Sequence, residues 1–197
     1  MKPRRIPRSF FMRSSVTTIA RELLGKVIVS GIDDVRTAGI ITETEAYAGV
    51  GDRASHAHGG RRTERTEVMY ARGGTVYVYL CYGIHHLFNV VTNKEDVPHA
   101  VLVRGIVPIA GLDRMKERRG GRMTTDGPGT AAQALGIHVR HSGSDLIEGP
   151  IRIEDHGHHV PDADIKVGPR IGVDYAGDDA ALPYRFWVGR PDALLSR

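Results

Sequence analysis

One cysteine, one tryptophan and an aromatic fraction of 6% are all that 197 residues contain of those types. Cys81 alone closes no internal disulfide and supplies no Cys-rich zinc site. No apolar run approaches the roughly 20 residues that a bilayer span needs, and Phe10-Phe11-Met12 is too short for the apolar core of a signal peptide. A soluble, cytoplasmic protein is expected by default. Neither sign of charge dominates. Lysine and arginine total 27 against 23 acids, a net +4 with a pI near 9.4, which permits nucleic-acid binding without requiring it. Gly127-Pro128-Gly129 lacks the Lys-Ser/Thr ending of a phosphate loop, and no G-x-G-x-x-G joins a strand to a helix. Nucleophile elbows, internal repeats and dividing linkers are absent as well.

What is present suits one domain with a sizeable core: 41% hydrophobic and 25% charged residues. Residues 1–15 carry four arginines and a lysine among prolines and are expected as a basic tail, with residues 16–197 forming the domain. Ser14 or Ser15 can cap a helix from Val16 to Leu24, stopped by Gly25. A strand over Lys26–Ser30, a turn over Gly31–Asp34 and a strand over Val35–Tyr47 predict a hairpin. Thr63 could cap a short helix to Arg72. Thr75–Gly83 alternates strictly, with Val76, Val78 and Leu80 suited to a core and Thr75, Tyr77, Tyr79 and Cys81 on the other face. Strands over Ile84–Thr92 and His99–Pro108 follow, then helices over Ile109–Arg119 and Thr130–Leu135. Ile151–Glu154, Lys166–Val173 and Tyr184–Val188 read as further strands.

The organising stretch is Gly39–Gly49. It is apolar and β-branched first, then places Glu43, Glu45 and Tyr47 two apart, on one face of a strand. Two readings stand for these acids: exposed carboxylates on an edge strand, or a site in which one carboxylate is held ionised near a cation as a general base. Arg104, inside the apolar run Ala100-Val101-Leu102-Val103, is the candidate cation, since a buried arginine needs a partner. A plain structural ion pair has the same spacing. His56 lies in the polar loop after Glu45, whereas the other histidines match no metal-ligand spacing. Tyr47, Tyr77, Tyr79 and Tyr82, four of the seven tyrosines, cluster around the candidate acid. They are either core packing or a slot for flat, electron-poor rings.

Several segments, in order, resemble the 3-methyladenine (alkyladenine) DNA glycosylase family. They are Ala20–Gly25, Glu43-Thr44-Glu45-Ala46-Tyr47, Ser55-His56, Gly74–Tyr79 with Tyr82-Gly83, Asn89, Val101–Arg104, Gly127–Gly129, Gln133–Leu135 and Arg170–Val173. Each is weak alone, but they run in register from about residue 16 to residue 188. The resemblance implies an α+β fold, a single mixed domain around a curved antiparallel β-sheet with a protruding β-hairpin. It implies a monofunctional DNA repair enzyme that needs no cofactor, acts as a monomer and takes double-stranded DNA containing damaged purines. Glu45 would activate the attacking water, with Arg104 and the Ile171 carbonyl holding that water. Tyr47, His56, Tyr77 and Tyr79 would line the base pocket, and Asn89 would disfavour guanine's exocyclic amino group. Tyr82 would intercalate in place of the extruded nucleotide. One departure is Thr130, where the family usually has lysine; Arg118, Arg119 or Arg122 could supply the missing basic contact. Two rivals remain: a catalytically silent nucleic-acid-binding domain, and a metal-dependent hydrolase built on the histidines.

Overall fold

The computed structural model describes residues 2–195. The elements run β1 (Arg4–Arg5), α1 (Arg8–Phe11), α2 (Val16–Glu22), β2 (Val27–Ile32), β3 (Val35–Tyr47), β4 (Val76–Cys81), β5 (His85–Thr92) and β6 (His99–Ala110). After these come α3 (Leu112–Arg118), α4 (Pro128–Leu135), β7 (Ile151–Asp155), β8 (Ile165–Gly168) and β9 (Arg185–Val188). All nine strands join one antiparallel sheet in the order β1-β7-β2-β3-β6-β5-β4, with β9 bridging β3 and β8. The sheet is open, and register shifts between β3 and β6 curl it, because each bulge bends its strand. α2 packs on β3 and β6, and α4 on β5 and β6, so one α+β core holds the chain together. Among the described residues no helix is long and apolar enough to cross a membrane.

β3 is the central element. Its first half pairs with β2, its second half with β9, and β6 runs along the other side. The β2–β3 turn is two residues, Asp33 and Asp34, both at positive φ (56° and 57°), the twist that suits a tight hairpin. β5 pairs with β6 only over Asn89–Thr92, although β4 and β5 pair with each other out to Cys81 and His85. The outer half of that hairpin therefore stands clear of the sheet. Leu80, expected in the core, is exposed for this reason.

Several boundaries differ from expectation. The helix expected over 109–119 begins only at Leu112, because Val107–Ala110 remain paired with β3 and Gly111 (φ 69°) makes the corner. The strand expected over 166–173 stops at Gly168, before Pro169, which has no N–H to pair. The helix expected over 63–72 is a series of turns with a 3-10 helix at Glu67–Tyr70; the Thr63 and Thr66 hydroxyls bond nearby backbone instead. Within the expected tail, Arg4–Arg5 pair with β7, and Ile6 and Phe11 are buried in the core. Residue 1 of that segment, and residues 196–197 of the expected domain, lie outside the described residues.

Candidate active site

A cavity of about 510 Å³ opens beside the β4–β5 hairpin. The alternation of β4 puts Tyr77 and Tyr79 on its wall, and Tyr47, His56, Asn89, Arg104, Ile171 and Tyr82 line it too. The sequence-derived pocket residues are thus brought together. Glu45 is completely buried behind them, touching Tyr47, Arg104 and Ile171.

Glu43, Glu45 and Tyr47 do share a face, and it is an interior one. Residue pairing between β3 and β6 skips Arg104, passing from Gly105 opposite Glu43 to Val103 opposite Thr44. That bulge re-aims the arginine toward the carboxylates. Arg104 Nε donates to Glu43 Oε1 at 2.9 Å, and Nη1 lies 3.4 Å from Glu45 Oε1. Arg185 Nε donates to the same Glu43 oxygen at 2.7 Å. Glu43 therefore fixes two arginines, and Glu45 receives the free end of one of them.

Glu45 has two further donors. The Ile171 N–H reaches Oε1 at 2.7 Å, and the Tyr47 hydroxyl reaches Oε2 at 2.8 Å. It is the N–H of Ile171 that touches the carboxylate. Burial pushes the Glu45 carboxyl above its ordinary value, while Arg104, the Ile171 N–H and the Tyr47 hydroxyl pull it down. The balance is a raised carboxyl with two hydrogen-bond donors and a guanidinium aimed at its ionised form.

The aromatic wall is electrically quiet. Burial holds His56 near a pKa of about 4, helped by Arg65 and Arg61, so its ring is neutral at physiological pH. His56 Nδ1 and the Tyr77 hydroxyl are 2.7 Å apart, and the His56 ring meets Tyr79 edge-on at 4.6 Å. Burial raises the phenols of Tyr47, Tyr77 and Tyr79, so all three remain protonated. Asn89 is buried, its amide donating to the carbonyls of Leu87 and Tyr77. Tyr82 stands at the hairpin tip, 91% exposed, with φ at 51°.

The N-terminus of α4, packed with Gly129 against His85 of β5, also lines the cavity through Gly127–Thr130. The Thr130 hydroxyl accepts from the Gly127 N–H at 3.1 Å, capping the helix from within its first turn. Arg118 is bound to the carbonyls of Ala134 and Ile32, and Arg119 to Gln133 and Thr124, which leaves Arg122 as the uncommitted member of that trio among the described residues. No group of three or more His, Cys, Asp or Glu side chains is gathered as a metal would require, again among the described residues.

Sequence reasoning missed two features. Arg185 stands in no motif, and Arg170 stands in one that does not show its buried pair with Asp52. Arg104 is a cation within an apolar segment, whereas Arg170 carries that signal only weakly, because Pro169 and Gly172 hide its segment's burial.

The methylpurine-DNA glycosylase family profile matches residues 9–191. A Chlamydia abortus protein named "Putative 3-methyladenine DNA glycosylase" is 45% identical over 186 residues, spanning 92% of this chain and 96% of its own. A Bacillus subtilis protein of the same name is 44% identical over 186 residues, covering 93% and 92%, and one from Clostridium perfringens is 41% identical over 196 residues, covering 93% and 95%. With the match running nearly from end to end, the chain belongs to the methylpurine-DNA glycosylase family.

Proposed function

We propose that this protein excises alkylated purines from duplex DNA, flipping the damaged nucleotide into the tyrosine-lined cavity and hydrolysing its N-glycosidic bond with a water activated by Glu45. The observation that carries this reading is a buried carboxylate supplied with two hydrogen-bond donors and a guanidinium directly behind an aromatic cavity. Extruding a base costs on the order of a few kcal/mol, least for a damaged one. Tyr82, exposed beside the cavity mouth, has the position and the flat ring to fill the gap left behind.

A methylated purine such as 3-methyladenine is cationic, which makes it both a good leaving group and a partner for aromatic faces, at about 0.5–2 kcal/mol per contact. Arg170 already lies over the Tyr47 ring at 4.9 Å and Tyr77 is buried against Tyr79, so Tyr79 is the freer surface for that cation. As the bond to the base stretches, the sugar gains oxocarbenium character. Ionised Glu45 stabilises that charge and takes the proton of the attacking water. Neutral His56 supplies no strong acid, which favours cationic leaving groups over neutral ones such as hypoxanthine or ethenoadenine. None of the lysines lines the cavity, which fits hydrolysis by water without strand-cleaving lyase chemistry.

The test is base release from duplexes carrying one methylated purine, ethenoadenine or hypoxanthine each, with chelator present. Release of the methylated base by the protein and none by Glu45→Gln is the expected result. No release from any lesion would favour a silent binding module, and release abolished by chelator would favour a metal-dependent hydrolase.

A further inference from the structure

Arg170 and Asp52 form the most deeply buried ion pair of the site, with side chains 0% and 2% exposed. The contact is bidentate: Nη1 to Oδ2 at 2.5 Å and Nη2 to Oδ1 at 2.9 Å. Taking such a pair out of water is costly, and a well-packed apolar pair would serve stability as well or better. Neither residue lines the cavity. A stability role alone therefore accounts poorly for the pair, and its other bonds show what it touches.

Arg170 also donates to the Ala46 carbonyl at 3.0 Å and the Asp179 carbonyl at 3.1 Å. Ala46 lies between Glu45 and Tyr47 in β3. The guanidinium is stacked between two rings, 4.9 Å from the centre of Tyr47 and 5.2 Å from that of Tyr184. Asp52 uses the same two oxygens to accept from the N–H groups of Ala48 and Ala54, folding the loop after β3 back on itself. The pair thus ties the end of β3 to the irregular segment that begins after β8. Both fixed donors to Glu45 outside Arg104 belong to these two pieces. Ile171 is the residue after Arg170, and Tyr47 is the ring beneath it.

We propose that Asp52 and Arg170 are positioning residues for Glu45, their ion pair holding the Ile171 N–H on Oε1 and the Tyr47 hydroxyl on Oε2. This rests on the reading of Glu45 as the general base. Breaking the clamp frees both donors, and each had favoured the ionised carboxylate. Glu45 then binds its proton more tightly. Base release, which needs the ionised form, should be lost at mildly acidic pH and recovered as pH rises.

Single-turnover release of a methylated purine from duplex DNA is measured from about pH 5 to about pH 9 for the wild type, Asp52→Asn and Arg170→Lys, with thermal melts alongside. The expected result is a break in the pH profile displaced upward by about one unit, a roughly tenfold deficit below the break that closes at the alkaline end. A uniformly lower rate with the break unmoved would mean that the pair only braces the fold, and would overturn the proposal. Should the single variants fail to fold, the double variant Asp52→Leu, Arg170→Met leaves no unpaired charge behind. A folded double variant with the wild-type profile would overturn the proposal equally. Glu45→Gln separates the two layers: if it still releases base, the general-base reading fails, whereas if it is inactive and the clamp variants keep the wild-type break, only the positioning role fails.

Discussion

The floor of the cavity and the tip of the hairpin beside it are built in opposite ways. Beneath the floor, Glu43, Glu45, Arg104, Arg170 and Asp52 are all largely or wholly buried, and each is tied by at least two polar contacts. At the tip, Tyr82 and Ile84 are 91% and 71% exposed, and the tyrosine adopts a left-handed φ that a bulky residue rarely accepts. One region spends stability to hold charge in place. The other leaves apolar surface in water and accepts backbone strain, which is tolerated where a function needs it. Under the proposed function this difference would separate chemistry from capture: the polar contacts around Glu45 are already made without DNA, whereas the exposed Tyr82 would find its partner only in the duplex.

The sharpest way to break the comparison is to disable each region in turn. Glu45→Gln removes the charge and keeps the shape, so single-turnover base release should fall by about a thousandfold while lesion-duplex affinity is kept. Near-normal turnover would remove Glu45 from the mechanism. The same variant should melt no lower than the wild type, because the buried carboxylate is held against its desolvation. Tyr82→Ala should do the reverse, weakening affinity for the lesion duplex by about tenfold with little change in the rate at saturating enzyme. Unchanged affinity in a binding titration would end the wedge assignment.

A smaller effect is written into the aromatic wall. His56 has a pKa of about 4 in the fold against 6.5 when free, so the folded state binds fewer protons than the unfolded one across that window. Stability from His56 is complete above pH 6.5 and is lost as pH falls through 4. His99, His138, His141 and His158 are lowered in the same direction, so the acid limb is shared. Melting curves should fall toward pH 4, and His56→Asn should soften that fall without removing it. An acid limb identical to the wild type's would mean that His56 takes up its proton as readily in the fold as in the unfolded chain.

Much of this was legible from residue pattern because the site sits on regular strands. The period of two placed Glu43, Glu45 and Tyr47 together, and an arginine inside an apolar run called for an acidic partner. What was not legible depends on pairing between distant segments. Nothing local says that β6 bulges at Arg104, that β5 leaves β6 after Asn89 and so exposes Leu80, or that the chain after Pro169 abandons the sheet to place an N–H on Glu45. Asp52 and Arg170 are 118 residues apart and flanked by glycine or proline, so neither showed its burial.

The smallest expected effect lies at the start of α4, beside His85 of the hairpin, where the resemblance led to the expectation of lysine and the chain has Thr130. Its hydroxyl is already engaged, accepting from the Gly127 N–H and donating to the Gly127 carbonyl at 2.8 Å. Thr130→Lys therefore trades one function for another. Loss of the internal cap costs about 1 kcal/mol, and an ammonium in the first turn of α4 meets the positive end of the helix, which adds slightly to the cost. A phosphate brought to that end would reverse the sign, since the new cation then releases one more counterion. The variant should melt a few degrees lower, yet bind lesion duplex with a log–log salt slope steeper by about 0.9. A steeper slope would place the DNA backbone against the start of α4, making it a third kind of surface, neither pinned floor nor free tip. An unchanged slope would mean that the backbone passes elsewhere and that the threonine here is simply a cap.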